Sequence, residues 1–317
     1  MEEENRRELL IKVAKLYYEE KLSQGEISKI INLSRSYVSK LIAAAETEGI
    51  VSIKVHDSNN TESSLERKVR TRFNLIRVFA IYSRIGEDYQ NRVASFAADY
   101  FPSLLHSGDT VAVDCGNTLY KCAYNMKTHP ELENISVVGI RGGYTDLSNP
   151  TFSQQIPTLM ANALNGIGYD FPCPAVIQNT KLKQALFQEP SLQKVLDLRE
   201  NADMVLFTVD GMSMGSSSNI VNSMYVSPDE LDEIGRNGAI GSICNHYLDK
   251  DGNLCTPALD EKVTSMSLQA LKKVKYRICI ATGRSKYRTV YSALKGGYIN
   301  ILIVDQDMAK ALTIMTD

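Results

Sequence analysis

Two short helices joined by a tight turn are predicted by the stretch LSQGEISKIINLSRSYVSKLIAAAETEGI, residues 22–50. The first helix, Gln24 to Ile31, carries Ile27, Ile30 and Ile31 on one face. Asn32-Leu33-Ser34 supplies the turn, with Ser34 as the N-cap of the second helix. The second helix buries four apolar positions that recur at helical spacing, namely Val38, Leu41, Ile42 and Ala45.

The outward side of this second helix has the chemistry of a DNA-reading surface. Steps of about 100° per residue place small hydroxyls, one aromatic ring and two cations near the start of the helix. Such groups suit contacts to phosphates and base edges, so a helix-turn-helix is predicted. The residues expected to contact DNA are Gln24, Ser34, Arg35, Ser36, Tyr37, Ser39 and Lys40. The alternative is an amphipathic helical hairpin that packs only against its own chain.

The flanking sequence extends this unit to a winged helix-turn-helix. Residues 5–20 predict a preceding helix, Gly49 ends the second helix of the pair, and Ile50 to Val55 alternates like a short strand. The following HDSNNTESS is polar and rich in turn residues, which is typical of a linker. We therefore expect a DNA-binding domain at 1–56, a linker at 57–64 and a second domain at 65–317.

Composition indicates a cytoplasmic protein. The chain has 317 residues, of which 44% are apolar and 23% charged. No apolar run is long enough to span a membrane, and the charged N-terminus MEEENRRELL lacks a signal region. The six cysteines are scattered without a C-x-x-C pair, so they predict reduced thiols and no metal site.

The predicted DNA-binding segment has no net charge. Residues 1–55 contain nine Lys or Arg and nine Asp or Glu. A single neutral head is expected to bind DNA weakly, because phosphate contacts dominate affinity. This favours a homodimer or homotetramer, in which several heads add their contacts.

From Leu75 onward, strands and helices alternate, which predicts a mainly parallel α/β sheet. The predicted strands are Leu75–Ile81, Thr110–Val113, Ile135–Ile140, Met204–Val209, Ala239–Asn245, Arg277–Ala281 and Ile301–Val304. The predicted helices are Leu65–Phe73, Glu87–Leu105, Thr118–Lys127, Ser153–Leu164 and Lys286–Lys295.

Four glycine-containing loops follow predicted strands, where α/β sheets collect their ligands. They are Asp114–Thr118, Arg141–Gly143, Asp210–Gly215 and Thr282–Lys286. Glycines such as Gly142 and Gly283 permit close backbone approach, while Arg141 and Lys286 add positive charge. Each loop alone is an ordinary connector, but four in successive crossovers favour an anionic ligand.

Other chemistries have little support in the sequence. Neither a P-loop nor G-x-G-x-x-G is present, and the histidines at 106, 129 and 246 are isolated. Asp249-Lys250-Asp251-Gly252-Asn253 begins like a calcium loop but lacks the terminal glutamate, so a hairpin turn is predicted. No catalytic residue, metal or cofactor is expected.

Over essentially its whole length, the chain resembles the bacterial SorC family of sugar-responsive transcription regulators. The resemblance rests on the segments LSQGEIS, LSRSYVSKLI and EGIV, on GNT at 116–118, RGG at 141–143, AIGSIC and LDKDGN within 239–253, and TGRSK and ALKGGYINILIVD within 282–305. It implies a second domain that resembles sugar-phosphate isomerases and glucosamine-6-phosphate deaminases but is used for sensing.

The resemblance also implies roles for individual residues. Gly116, Asn117, Thr118 and Lys286 would hold the phosphate end of an effector, and Arg141 would contact a second phosphate or hydroxyls. Asp210, Asp260 and Glu261 would face sugar hydroxyls.

The chain departs from the family pattern at several positions. Gly241-Ser242-Ile243 replaces the usual G-D-I, and Ala281-Thr282-Gly283 replaces A-G-G. Asn117 takes the place of Thr or Arg, and Arg141 cannot form a Schiff base as a lysine could.

Three functions follow as hypotheses. The first is a DNA-binding regulator of a carbohydrate-utilisation operon, in which a sugar or sugar phosphate controls binding to double-stranded operator DNA. The second is a sugar-phosphate isomerase or deaminase that carries a DNA-binding head, with Asp210 as the general base. The third is a structural DNA organiser without a ligand, which the glycine loops disfavour.

Overall fold

The computed structural model describes residues 2–51, 62–83, 86–143, 155–212 and 226–315. The chain divides into two compact units, Met1–Thr61 and Glu62–Asp317.

The first unit is a small helical domain. Its helices are α1 (Glu2–Ala14), α2 (Gln24–Ile31) and α3 (Arg35–Thr47), and a short π-helix at Lys15–Glu19 extends α1. Apolar residues from all three helices form one core, which contains Leu10, Val13, Ile27, Val38, Leu41, Ile42 and Ala45. The predicted buried face of α3 is therefore confirmed.

Capping residues fix the turn between α2 and α3. Asn32 takes the left-handed conformation with φ 54°, which ends α2. The Ser34 hydroxyl accepts the Tyr37 backbone N–H at 3.2 Å and so caps α3, as predicted. Ile30, however, is 54% exposed, so the apolar face of α2 is only partly buried. The predicted strand at 50–55 and most of the predicted linker lie outside the described residues.

The second unit contains ten strands and eleven α-helices among the residues that the structure describes. The strands are β1 (Arg77–Ile81), β2 (Thr110–Val113), β3 (Ser136–Gly139), β4 (Ile167–Tyr169), β5 (Met204–Phe207), β6 (Val209–Gly211), β7 (Gly241–Ile243), β8 (His246–Leu248), β9 (Tyr276–Ala281) and β10 (Ile301–Asp305). The helices are α4 (Ser64–Phe73), α5 (Tyr89–Tyr100), α6 (Asn117–Asn125), α7 (Gln155–Ala163), α8 (Thr180–Phe187), α9 (Pro190–Glu200), α10 (Pro228–Arg236), α11 (Pro257–Asp260), α12 (Leu268–Lys273), α13 (Tyr287–Lys295) and α14 (Gln306–Ile314).

Seven strands form one parallel sheet in the order β1-β10-β9-β5-β2-β3-β4. Successive side chains alternate between its faces, so Val111 and Val113 of β2 enter one core cluster and Ala112 enters the other. Helices cover both faces, which confirms the predicted mainly parallel α/β fold.

One predicted strand belongs to a second sheet. Ala239–Asn245 contributes β7, which pairs with β6 and β8 in an antiparallel three-stranded sheet. Cys244 and Asn245 both have positive φ and form the tight turn between β7 and β8. The Asp249–Asn253 segment is a turn, as predicted, because the Asp249 carboxylate accepts the backbone N–H groups of Asp251 and Asn253.

The strand order reverses beside β2. After β2 the chain builds outward through β3 and β4, and it then returns to place β5 on the opposite side of β2. The chain therefore leaves β2 and β5 in different directions, a topology that in open α/β sheets creates a crevice at the carboxyl ends of the strands. Open α/β sheets bind ligands at such a switch point.

Candidate functional site

The proposed DNA-contacting residues lie at the surface of the first unit. Ser34, Arg35, Ser36, Tyr37, Ser39 and Lys40 are all exposed, and Gln24 is half-buried at the start of α2. Tyr37 leaves 46% of its surface in solvent. One face of α3 thus presents hydroxyls, a ring and two cations, as the sequence predicts.

The second candidate site lies at the switch point of the parallel sheet. Gly116 precedes α6 and has φ 130°, a conformation that side chains rarely adopt. A Cβ at Gly116 would lie 3.4 Å from Cγ2 of Thr208, the residue that follows β5. The loop after β2 and the end of β5 therefore face each other closely.

Lys286 reaches the same place from the loop after β9. Its ammonium nitrogen donates to Oγ1 of Thr208 at 3.0 Å, although residues 208 and 286 are far apart in sequence. Gly283, at the start of this loop, has φ 92°, and its N–H donates to the Asp305 carboxylate at 2.9 Å. The structure thus brings Gly116 and Lys286 together around Thr208, a residue that the sequence analysis did not single out.

A glutamine from α5 contacts the two polar residues of the loop after β2. The Gln90 amide nitrogen donates to Oγ1 of Thr118 at 3.1 Å, and its carbonyl oxygen accepts from the Asn117 amide at 3.0 Å. Thr118 is buried, and Asn117 is exposed. No sequence pattern pointed to Gln90. It lies in α5, which the strand β2 separates from the loop along the chain.

Arg141 forms a buried ion pair instead of projecting into solvent. Its Nε donates to Asp114 Oδ1 at 2.5 Å, and the two side chains are only 6% and 3% exposed. Its other nitrogens contact Oδ1 of Asn245 at 3.0 Å and Sγ of Cys115 at 2.9 Å. Arg141 therefore ties the loops after β2 and β3 to the β7–β8 turn.

The Cys115 thiol is unsuited to nucleophilic chemistry. Burial, followed by the negative charges of Asp114 and Asp210, outweighs the nearby Arg141 cation and raises the pKa of Cys115 to about 12. The thiol is therefore protonated at neutral pH, whereas a reactive cysteine needs its thiolate form.

The remaining predicted effector residues occupy different surroundings. Asp210 lies within β6, opposite Ser242, and not in a loop as predicted; Ser213 to Gly215 of that loop are outside the described residues. Asp260 ends α11 and bonds Nδ1 of the buried His246, whose Nε2 lies 2.8 Å from the Met266 carbonyl oxygen. Glu261 follows directly, and its carbonyl oxygen accepts from Lys183 at 2.8 Å.

Gly142 has a packing role that explains its lack of a side chain. A Cβ there would lie 2.3 Å from the Cys173 carbonyl oxygen and 2.5 Å from that of Pro174. Its N–H donates to Oγ1 of Thr264 at 3.2 Å. This glycine therefore allows the loop after β3 to pack against the neighbouring backbone.

Two general features bear on the class of protein. Among the described residues, no helix is long and apolar enough to cross a membrane. Within the same ranges, no group of three or more His, Cys, Asp or Glu side chains is arranged to hold a metal ion.

Comparisons with known proteins agree with this architecture. A family model described as "Putative sugar-binding domain" matches residues 57–313. The deoxyribonucleoside regulator of Bacillus subtilis (strain 168) is 28% identical, and the alignment covers 97% of each chain. The transcriptional regulator LsrR of Escherichia coli (strain K12) is 28% identical over 96% of this chain and 94% of its own.

A solved structure shows the same fold over the full length. The sorbitol operon regulator SorC from Klebsiella pneumoniae superposes with a TM-score of 0.74 at 23% identity, and it covers 98% of this chain and 99% of that chain. The helix-turn-helix and the α/β unit with its switch-point crevice together define a DNA-binding transcription regulator with a sugar-binding domain. The chain belongs to the SorC family of these regulators.

Proposed function

We propose that this regulator controls a carbohydrate-utilisation operon and that a sugar phosphate bound at the switch-point crevice sets its affinity for operator DNA. The observation that carries the proposal is the Lys286–Thr208 contact opposite Gly116. An ammonium group beside a glycine turn and the start of a helix is suited to a phosphate.

The sugar end of the effector is assigned to polar residues of the same unit. Asp210 lies in β6 opposite Ser242, and its charge contributes to the raised pKa of the Cys115 thiol. Asp260 and Glu261 are assigned to sugar hydroxyls by family resemblance. Arg141 is already hydrogen-bonded to three partners, which favours a role in shaping the crevice over a role as a freely available anion clamp.

Control of DNA binding requires two conformations that bind the effector with different affinity. An effector that prefers one arrangement of a homodimer or homotetramer shifts the population toward it, and the DNA affinity changes by the linked amount. Double-stranded operator DNA, the effector and further copies of the chain are the proposed partners, and no cofactor takes part.

A binding role fits the chemistry of the crevice better than catalysis. The Cys115 thiol is protonated, and the Arg141 cation is paired with Asp114. Incubation with pentose and hexose phosphates tests the enzyme alternative, because product formation at ordinary enzyme rates of about 1–1000 per second would support an isomerase or deaminase.

The proposal predicts that Lys286→Ala weakens sugar-phosphate binding. Removal of the ammonium group takes away a charge-assisted contact, so the dissociation constant of the best-binding phosphate is expected to rise about tenfold or more. A thermal-shift screen with ribose 5-phosphate, glucose 6-phosphate and fructose 6-phosphate identifies that ligand, and isothermal titration calorimetry measures its affinity.

Arg288→Ala serves as the matched control, because Arg288 is an exposed cation two residues further along the same chain segment. It is expected to leave the affinity within about twofold of the wild type. If Lys286→Ala, Arg288→Ala and the wild type bind the sugar phosphate with equal affinity, the phosphate does not bind in this crevice.

A further inference from the structure

A second cleft opens at the carboxyl edge of the sheet, beyond β9. It has a volume of about 410 Å³ and lies beside the ends of β1 and β10. Its lining includes Tyr82, Tyr89, Arg284, Tyr287, Asp307 and Lys310. Small-molecule sites commonly have volumes of about 300–1,000 Å³, and they combine aromatic walls with a few polar groups.

The Thr282–Lys286 loop separates this cleft from the switch-point crevice. Lys286 extends toward Thr208 on the crevice side, at 3.0 Å. Gly283 and Arg284 line the second cleft, and a Cβ at Gly283 would lie 3.8 Å from the Tyr89 hydroxyl. One loop thus provides a cation to each of two neighbouring cavities.

The charges in the second cleft are balanced. Arg284 and Lys310 contribute two positive groups, and Asp305 and Asp307 contribute two negative groups. Lys310 lies 3.3 Å from Asp307, and the Asp305 carboxylate accepts the N–H groups of Gly283 and Met308. A phosphate would meet two carboxylates here, so the cleft is better suited to an uncharged ligand.

The aromatic and polar groups match an uncharged sugar ring. Tyr82 and Tyr89 are 59% and 46% exposed, so their rings offer apolar faces to the C–H groups of a sugar. Burial, and then the charges of Asp305 and Asp307, raise the pKa of Tyr287 to about 12, so its hydroxyl remains protonated and can donate. Arg284 adds further donors, and Asp307 and the Gln306 amide add acceptors.

We infer that the cleft between Tyr89, Arg284 and Tyr287 is a second ligand site, which binds an uncharged monosaccharide ring. This site goes beyond the proposed sugar-phosphate site and has its own set of contacting residues. Because the two cavities share the Thr282–Lys286 loop, occupation of one site is expected to change the affinity of the other.

The test uses the full chain and three uncharged probes. D-glucose and D-ribose provide rings, and D-sorbitol provides the same kind of hydroxyls without a ring. Ligand-observed NMR and calorimetry are expected to show saturable, millimolar binding of at least one ring sugar and weaker binding of D-sorbitol. Absence of saturable binding for both ring sugars would overturn the inference.

Four variants locate the bound sugar. Tyr89→Ala and Arg284→Ala are each expected to weaken ring-sugar binding by about tenfold, because they remove a wall and a charged donor of the cleft. Tyr124→Ala and Arg288→Ala remove an exposed ring and an exposed cation elsewhere, and they are expected to leave binding unchanged. Thermal melting of each variant verifies that it is folded.

Lys286→Ala separates this inference from the proposed function. Lys286→Ala is expected to weaken sugar-phosphate binding about tenfold or more and to retain the binding of the uncharged ring sugar. If ring-sugar binding is lost in Lys286→Ala and retained in both Tyr89→Ala and Arg284→Ala, the sugar occupies the switch-point crevice and the second site is wrong. If the wild-type chain binds the ring sugars but none of the sugar phosphates, the proposed function fails while the second site stands.

Discussion

The buried contact of Arg141 with Asp114 changes the interpretation of this residue's role. From the sequence, an arginine followed by two glycines indicates an exposed anion clamp. In the structure its charge is opposed by Asp114 at 2.5 Å, and little of either side chain contacts solvent. A ligand phosphate at this position would compete with Asp114 for the guanidinium group. The residue is therefore better explained as the connection among three loops that border the crevice.

We predict that Arg141→Met destabilises the second unit strongly. The substitution leaves the Asp114 carboxylate buried without its cation, and loss of one partner of a buried ion pair costs about 3–5 kcal/mol. Urea denaturation measures the change in the free energy of unfolding. Lys127→Ala is the control, because the Lys127–Asp99 pair is 72% and 58% exposed and such pairs contribute about 1 kcal/mol or less. If Arg141→Met and Lys127→Ala lowered the free energy of unfolding by similar amounts, the buried-pair interpretation would be wrong.

At the scale of elements, α5 and α6 are joined by polar contacts along their length. Asp88 pairs with Lys121, Gln90 bonds Asn117 and Thr118, and Asn125 bonds Asn91 and Ser95. Helical periodicity locates both helices, but it cannot identify which polar side chains meet across them. The sequence therefore predicts the loop after β2, whereas its attachment to α5 appears only in three dimensions.

We predict that Gln90→Ala weakens both stability and sugar-phosphate binding. The buried Thr118 hydroxyl loses a hydrogen bond and Asn117 loses its anchor, so the free energy of unfolding is expected to fall by about 1–3 kcal/mol. Calorimetry with the best-binding phosphate is expected to show a weaker affinity because the loop is less well ordered. Gln184→Ala, at an exposed position of α8, provides the control. Wild-type values for Gln90→Ala in both measurements would count against the anchoring role.

The start of α10 provides a pH-dependent contribution to stability. Burial alone would raise the pKa of Glu230, but hydrogen bonds from Lys262 and from Ser227 outweigh it and lower the pKa to about 2. Because the pKa is lower in the folded state, the contribution is present above the usual value near 4.5 and disappears as the pH falls toward 2.

We predict that Glu230→Gln lowers the free energy of unfolding by about 2 kcal/mol at pH 7. The difference from the wild type is expected to shrink between pH 4.5 and pH 2, as both proteins then carry an uncharged side chain. Chemical denaturation at several pH values measures this difference. Asp232→Asn, on the exposed side of the same helix, is expected to show little change at any pH. A difference that stays constant with pH would exclude the proposed ion pair as its source.

At the scale of the whole molecule, local patterns predict the elements but not their arrangement. The buried runs at 110–113 and 301–304 predict strands because they are short, apolar and bounded by turns. The strand β4, Ile167–Tyr169, is missed because it has only three residues and contains a glycine. The switch point beside β2 cannot be predicted either, since strand order depends on which distant strands pair. For the same reason, Thr208 and Lys286 are far apart in sequence and adjacent in the fold.

Assembly of several copies leads to a prediction about salt dependence. The head region has no net charge, so DNA binding is expected to need two or more heads. In a dimer, Lys40→Ala removes one phosphate contact from each head, so the magnitude of the slope of log K against log salt is expected to fall by about 1.8. In a monomer the magnitude would fall by about 0.9. Arg35→Ala is expected to change the salt dependence by the same amount as Lys40→Ala. Fluorescence anisotropy with a selected operator duplex measures the slope, and an exposed cation on α1, Lys12, provides the control. A slope equal to the wild type in both variants would refute the assignment of α3 as the DNA-reading helix.

The pairing of β1 with β10 has a consequence for how the sensor is made. Within the parallel sheet, β1 forms hydrogen bonds only with β10. More than 200 residues separate the two strands, so β1 has no partner until β10 has been synthesised. During synthesis at about 5–20 residues per second, the edge of β1 stays unpaired for tens of seconds. By contrast, the core residues described for the helical head all lie within residues 9–51, so this core can form as soon as the segment emerges. The DNA-binding unit is thus expected to be complete well before the sheet on which sugar sensing depends, and this interval is when the nascent chain is most exposed to aggregation.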